Sequence, residues 1–470
     1  MIHNFFIILF IIFVSYFLIL TFYYIFLTLV GFSKSRKNIF ESELEDYTLL
    51  KESSFAIPLS IIIPVHNEEA FIKESVKSIL NLDYPEYELI IINDGSTDHT
   101  LDILIKLLHL RPKDKSFRDE FTDGKIHEIY RSDKHRNVTV IHKSFGMKKA
   151  GAINAGLNIA KYKYVCVIDA DTILEPDALL KVMAQVEKYP EDIIGIGSYF
   201  GLLNGFDIKN GKILKRSFSY NPIVAYQNLE YLRTFIGNRL SWSAFGAIPI
   251  ISGGFGIWRR DIIAKLKGYD STFTCEDLEF TFRAQDNLYK KNIKGKILSL
   301  PNYIGWTSGP GNLKALISQR ERWQRVIDEA VWQYKYMIFN PKFGWFGFLT
   351  MPYYLFYETL GVFFEITSVF TVFIAYLMGI LNIVLFLGFF ALMVLSQSVI
   401  SAMVIWVFIR DQKIFRLRYV AYLLFLSFLE LFFYKWVLSI AKVKGTVNFF
   451  LRKREFNQYT HSRGDTHRSA

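Results

Sequence analysis

Residues 5–32 are an almost unbroken run of Phe, Ile, Leu, Val and Tyr, longer than the ~20 residues that carry an α-helix across a bilayer. The run predicts a membrane helix. A cleavable signal peptide would need a basic start and a small-residue cleavage site, and both are missing. Lys34, Arg36 and Lys37 follow the run, and the positive-inside bias then places the amino terminus outside and residue 33 onward in the cytosol. From Leu59 to about Leu300 the pattern changes to short apolar runs alternating with amphipathic stretches, as in βαβ units around a mainly parallel sheet. Strands are predicted at 59–64, 88–93, 138–142, 163–169 and 193–197, and helices near 68–80, 97–109, 149–160 and 176–188. The fold class is α/β. Residues 110–136 are charged and without period, which reads as a surface insertion ahead of the third strand.

Apolar sequence returns at 343–409 and 419–441, with the basic stretch Arg410 to Arg418 between. A hairpin within about 360–409 keeps that stretch in the cytosol, but a full crossing at 419–441 would then export the basic tail against the positive-inside bias. Either 343–360 also crosses, or 419–441 lies at the interface. Glu430 and Lys435 inside the last run favour an interfacial or re-entrant placement, because charges are costly at bilayer depth. The chain thus divides into an anchor at 1–37, an α/β domain at 38–340 and spanning and interfacial helices at 341–470.

Composition narrows this further. With 51% hydrophobic and 17% aromatic residues and a mean hydropathy of +0.21, a purely soluble protein is excluded. The net charge of +11 is concentrated beside apolar runs, as at Arg452, Lys453 and Arg454, which points to anionic lipid as partner rather than nucleic acid. The two cysteines, Cys166 and Cys275, both lie in the α/β region, so no disulfide framework is expected.

Asp169 and Asp171 end the apolar strand 164–168, and alternate strand residues face one way. Two hard oxygen donors suit Mg²⁺ or Mn²⁺ bridging a diphosphate, although such a pair also serves as a turn or helix cap. Pro64, His66, Asn67 and Glu68, and again Asn93, Asp94 and Ser96, follow buried strands. Carboxyl ends of parallel strands are where these sheets bind ligands; Asn67 and Ser96 also suit helix caps. Glu276 and Asp277 open an amphipathic segment, where a helix dipole favours the ionised form, and make the best general-base candidates once the metal pair is assigned. Gln319, Arg322 and Trp323 share one helix face. Arg forks onto phosphate and Trp offers a flat face to a sugar, while a membrane-interface belt would also account for the Trp and Arg.

In order along the chain, PVHNEE (64–69), NDGSTD (93–98), KKAGAINAGL (148–157), DAD (169–171), SGGFG (252–256), CED (275–277) and QRERW (319–323) resemble the membrane-integrated family 2 glycosyltransferases, which include cellulose, chitin, hyaluronan and poly-N-acetylglucosamine synthases. The resemblance covers about residues 58–325. It implies a nucleotide-sugar-binding domain of the GT-A type, in a multi-pass protein of the plasma membrane with its catalytic domain in the cytosol. By this resemblance Pro64, His66, Glu68 and Asp94 line the nucleoside pocket, Lys149 and Asn154 help hold the donor, and Asp169 and Asp171 hold the diphosphate with Mg²⁺ or Mn²⁺. Asp277 resembles the base of the TED motif, whose Thr is here Cys275. Gln319 and Arg322 resemble the diphosphate clamp, with Trp323, Phe255 and Glu276 near the acceptor. The implied reaction is an inverting displacement from a nucleotide-diphosphate sugar onto a growing polysaccharide. A single addition to a lipid-linked acceptor is the alternative, and Gln324-Arg325 after the motif departs from the better known synthases.

Overall fold

The computed structural model describes residues 2–43, 47–113, 120–121, 124–146, 148–291, 293–412 and 415–451. In chain order the elements are helices α1 (Ile2–Glu43) and α2 (Tyr47–Lys51), β1 (Leu59–Val65), α3 (Ile72–Leu80), β2 (Tyr87–Asp94), α4 (Thr100–Leu108), β3 (Leu110–Pro112), β4 (Ile126–Ser132) and β5 (Val138–Lys143). There follow α5 (Lys148–Ile159), β6 (Tyr164–Ile168), β7 (Ile173–Leu174), α6 (Ala178–Lys188), β8 (Ile193–Leu202), a hairpin of β9 (Asp207–Lys209) and β10 (Lys212–Lys215), α7 (Pro222–Leu232), α8 (Leu240–Ala244), β11 (Phe255–Arg259), α9 (Arg260–Lys265), α10 (Glu276–Lys290) and β12 (Lys296–Thr307). The remainder is helical: α11 (Leu313–Gln333), α12 (Met351–Tyr353), α13 (Gly361–Leu377), α14 (Ile383–Gln412), α15 (Leu417–Leu429) and α16 (Tyr434–Phe450).

Two compact units emerge. One holds Lys37–Ser217 and Gly246–Gly309, the other Met1–Arg36, Phe218–Phe245 and the described residues from Pro310 onward. The boundaries differ from a three-way division by sequence, because α7 and α11 pack with the apolar helices α15 and α16.

The first unit is built on a ten-stranded mixed sheet in the order β3-β4-β5-β2-β1-β6-β11-β8-β12-β7. Strands β5, β2, β1 and β6 are mutually parallel; they are nearly continuous runs of Ile, Val and Leu, as strands covered on both faces must be. Their carboxyl ends, Lys143, Asp94, Val65 and Ile168, lie along one edge. The expected insertion at 110–136 contains two strands: β4 runs antiparallel to β5, with β3 outside it. Residues 114–119 and 122–123 of that stretch lie outside the described ones. Half-buried Glu128 and Arg131 interrupt the apolar positions of β4 and leave no alternation for a sequence reading to find.

In the second unit Phe5–Ser35 and Ile383–Ile409 are each long and apolar enough to cross a membrane. Two bent pairs pass the same test jointly: Phe346–Thr359 with Gly361–Leu377 at 45°, and Leu417–Phe432 with Tyr434–Phe450 at 53°. The charges that argued for interfacial placement of 419–441 are all paired. Glu430 receives both nitrogens of the Arg233 fork at 2.6 and 2.7 Å, and Lys435 and Lys442 reach Glu365 and Glu358, each at 2.7 Å. Their cost at depth is therefore met inside the bundle.

Candidate active site

The first cluster forms where β2, β1 and β5 end. Asp94 and Lys143 are register partners on β2 and β5, so their side chains meet in a buried ion pair of 2.5 Å with 4% and 0% of each exposed. Burial raises the Asp94 pKa, Lys143 works against it, and the net is upward. The backbone oxygen of Asp94 is 2.7 Å from His66 Nδ1, and the His66 ring lies against Phe145 with centroids 4.5 Å apart. Asn67 takes a left-handed conformation (φ 55°) and its Oδ1 accepts the Thr97 amide at 2.8 Å, which ties the loop after β1 to the loop after β2. Gly95, at φ +62°, sits so close to Phe145 that a Cβ would lie 2.5 Å from its amide nitrogen; only glycine fits there. Lys143 was missed by the sequence reading, although a lone Lys closing the apolar strand VTVIHK was a visible signal.

A second cluster gathers at the amino end of α5, the end of β6 and the start of α10. Lys149 Nζ is 2.6 Å from Asp169 Oδ1 and 2.7 Å from Glu276 Oε1. Beside it, Asp277 Oδ2 accepts the Gly253 amide at 3.0 Å. Burial acts to lower the Lys149 pKa, but Asp169, Glu276 and Asp277 outweigh it and hold the ammonium well above its ordinary value. Burial raises Asp169, with Lys149 opposing and Asp171 reinforcing. Asp277 is likewise raised, first by burial and then by Glu276, against Lys149 and two backbone amides. A carboxylate made more basic and oriented through both oxygens by the Gly253 and Leu278 amides is suited to taking a proton. Asp171 is buried and its Oδ1 accepts from Thr307 at 3.2 Å.

Phe255 is fully buried in β11. Asn154 is 3% exposed, with its side-chain amide held by the backbone of Tyr269 in two 2.9 Å bonds. Glu276 is buried against Lys149. Pro64 and Glu68 are half-buried at the end of β1.

Gln319, Arg322 and Trp323 share a face of α11 in the helical unit. Gln319 Oε1 is buried with no hydrogen-bond partner, and the guanidinium of Arg320 lies 4.1 Å from the Trp323 ring centroid.

Among the described residues no three Asp, Glu, His or Cys side chains form a metal cluster. Asp169 and Asp171 nevertheless fit Mg²⁺ or Mn²⁺ of the kind that is held by one or two carboxylates and completed by substrate phosphates.

The profile of Glycosyl transferase family 2 matches residues 60–266, and that of Glycosyl transferase family group 2 matches residues 164–429. Among characterised relatives, the chain is 27% identical over 273 residues to the poly-beta-1,6-N-acetyl-D-glucosamine synthase of Staphylococcus epidermidis, covering 58% of this chain and 55% of that one. It is 28% identical over 286 residues to the probable glycosyltransferase YdaM of Bacillus subtilis, covering 60% and 58%. The matched region thus spans just over half the length of these relatives. Among solved structures, the mannosyltransferase PcManGT of Pyrobaculum calidifontis, in complex with GDP-Man and Mn²⁺, covers 93% of this chain and 100% of that one with a TM-score of 0.50 at 15% identity, which shows a common fold. With more than half of the chain matched, the protein belongs to the family 2 glycosyltransferases.

Proposed function

We propose that the protein transfers a sugar from a UDP-linked donor to a growing polysaccharide at the cytosolic face of the plasma membrane, with inversion at the anomeric carbon. The observation that carries this reading is the grouping of Lys149, Asp169, Glu276 and Asp277 at the mouth of the parallel strands. Asp277 takes the proton of the acceptor hydroxyl as that oxygen attacks the anomeric carbon and the bond to the diphosphate breaks. Lys149 offsets charge on the departing nucleoside diphosphate. His66 and Asp94 border the nucleoside pocket. Asp169 and Asp171 would hold a divalent metal, which supplies Lewis-acid stabilisation of the leaving diphosphate when bound. The named activity of the staphylococcal relatives makes UDP-N-acetylglucosamine the first donor to test.

The membrane reading follows from chain continuity. No described helix between Ser35 and Phe346 is long and apolar enough to cross, so α7 and α11 lie on one side of the membrane. At one end of the segment 417–450, Tyr419 meets Asn228 beside α15 and Tyr422 meets the backbone of Tyr220, both at 2.9 Å. At the other end Thr446 meets Asp328 and Asn448 meets Glu321, at 2.7 and 2.9 Å on α11. Both ends therefore lie beside elements of one side, which supports a segment that does not cross. Phe5–Ser35, Phe346–Leu377 and Ile383–Ile409 then form three crossings. Every basic flank falls on the cytosolic side, and the uncharged turn 378–382 lies outside.

The experiment is a panel of radiolabelled UDP-N-acetylglucosamine, UDP-glucose and GDP-mannose, given to the detergent-purified protein with Mg²⁺ or Mn²⁺, with products sized on a gel. A ladder from one donor supports the proposal and names the sugar. One lipid-soluble addition, or no transfer from any donor, overturns it.

A further inference from the structure

Glu230 belongs to none of the motifs that mark this chain. It sits near the end of α7, and its Oε2 accepts from Arg320 Nη2 at 3.0 Å and from the Tyr434 hydroxyl at 2.9 Å. Tyr434 in turn is stacked on Tyr226, with centroids 4.6 Å apart and 11° between planes. One turn further along, Arg233 forks onto Glu430. Glu230 and Arg233 thus grip the two sides of the break between α15 and α16, and that break fixes where Glu230 stands.

Arg320 is 5% exposed and lies over one face of Trp323. Its Nε and Nη1 are buried without hydrogen-bond partners, so Glu230, the Tyr434 hydroxyl and the indole ring hold the guanidinium. A cation over an indole is attracted more strongly when desolvated. With that face covered, a sugar ring reaches Trp323 only on the other. We infer that Glu230 is a positioning residue for the acceptor: through Arg320 it locks the indole of Trp323 in one orientation.

The inference rests on the sugar-transfer reading of Trp323 given above. Its physical logic is that a guanidinium does not deprotonate in a protein. Without an acceptor oxygen at position 230 the buried Arg320 loses its Nη2 hydrogen bond, swings toward water and leaves the indole free to turn. A misplacement of that kind costs roughly 10- to 100-fold in a reaction that depends on alignment. Glu230→Gln keeps an acceptor oxygen for Arg320 and Tyr434 and loses only the charge.

The test uses the full chain in detergent, with Glu230→Ala, Glu230→Gln, Trp323→Ala and the double variant E230A/W323A. In Glu230→Ala, transfer is expected to fall about tenfold while UDP affinity, read by calorimetry, stays within about twofold. Glu230→Gln recovers most of the loss, and the double variant is no slower than Trp323→Ala alone, because Glu230 acts through that ring. A purely structural role would lower UDP affinity as well and would multiply with Trp323→Ala; either result overturns the inference. A second readout does not need activity. With the eight tryptophans replaced by 5-fluorotryptophan and the Trp323 resonance assigned from Trp323→Phe, Glu230→Ala is expected to shift and broaden that signal, and an unchanged signal overturns the inference. Failure of the sugar-transfer reading looks different: the unmodified protein would transfer from no donor while the fluorine signal still responded.

Discussion

Replacing Lys143 by Met removes one half of a buried ion pair whose other half cannot reach water. The side chains of Asp94 and Lys143 are 4% and 0% exposed, and stripping one partner from such a pair costs roughly 3–5 kcal/mol. The upper end has a physical ceiling. At pH 7.5 a carboxyl with an ordinary pKa of 3.8 escapes its unpaired charge by protonating, at about 1.4 kcal/mol for each pH unit, or ~5 kcal/mol in all. For an α/β unit of this size each kcal/mol moves the melting temperature by ~2–4 °C, so Lys143→Met should melt roughly 6–20 °C lower. The sign of the pH dependence is also determined. In the variant the folded-state pKa of Asp94 lies above its unfolded value, so the penalty is complete above the folded pKa and shrinks as pH falls toward 3.8. The assay is intrinsic-fluorescence melting of the detergent-purified protein at pH 7.5 and 5.5, with Asp94→Asn/Lys143→Met as control. The gap should narrow at the lower pH, and the double variant should recover much of the loss. A single variant that melts with the wild type at pH 7.5, or a double variant no better than the single, would refute the reasoning.

Four further outcomes are expected. Asp277→Asn should lower transfer by ~10²–10⁴ with UDP affinity unchanged; wild-type turnover in the purified variant would remove Asp277 from the mechanism. Burial drives the pKa of Asp328 up to about 6, against hydrogen bonds from Thr446, Thr359 and Gln324. Its charge therefore costs up to ~3 kcal/mol above pH 6, relieved as pH falls from 6 toward 3.8, so melting curves of wild type and Asp328→Asn should converge on acidification and parallel curves would count against it. Chelation with EDTA should stop transfer and Mg²⁺ or Mn²⁺ should restore it, whereas undiminished transfer in chelator would exclude a metal requirement. A green fluorescent protein fused after Ala470 should fluoresce in cells, as a cytosolic carboxyl terminus requires, and a dark, exported fusion would show that 417–450 crosses.

The elements that sequence reading located best are those whose burial is uniform. Strands β1, β2, β5 and β6 are continuous apolar runs, and they appear within a residue or so of where the pattern puts them. Strand β4 was hidden because half-buried Glu128 and Arg131 break its apolar pattern, and β11 because glycines precede it and its pairing with β6 and β8 is antiparallel. At the candidate site, the motifs pointed to Lys149, Asp169 and Asp277, which the structure brings together, but not to how they are wired. Asn154 and Phe255 stand inside conspicuous motifs and are buried. Glu230 and Lys143 stand outside every motif, because their partners are brought to them by a helix 90 residues away and by sheet register.

That wiring bears on how the donor is received. Asp169, Glu276 and Asp277 bring three carboxylates around the ammonium of Lys149, with Asp171 acting on Asp169, and burial already disfavours ionisation of Asp169 and Asp277. A nucleoside diphosphate arriving alone adds negative charge to a site that has too much, in a region of low dielectric where like charges are expensive. Lys149 is committed to Asp169 and Glu276 and cannot neutralise the diphosphate without releasing one of them. Asp169 and Asp171 would hold a divalent cation, which would supply positive charge against the diphosphate and compete with Lys149 for Asp169, while Glu276 keeps its contact with the lysine. On this argument the metal dependence should be felt in donor affinity before it is felt in turnover. Lys149→Met should weaken UDP binding in the presence of metal while strengthening the binding of Mn²⁺ alone, since it removes the cation that competes for Asp169. Unchanged Mn²⁺ affinity in that variant would mean that Lys149 and the metal do not share the carboxylate.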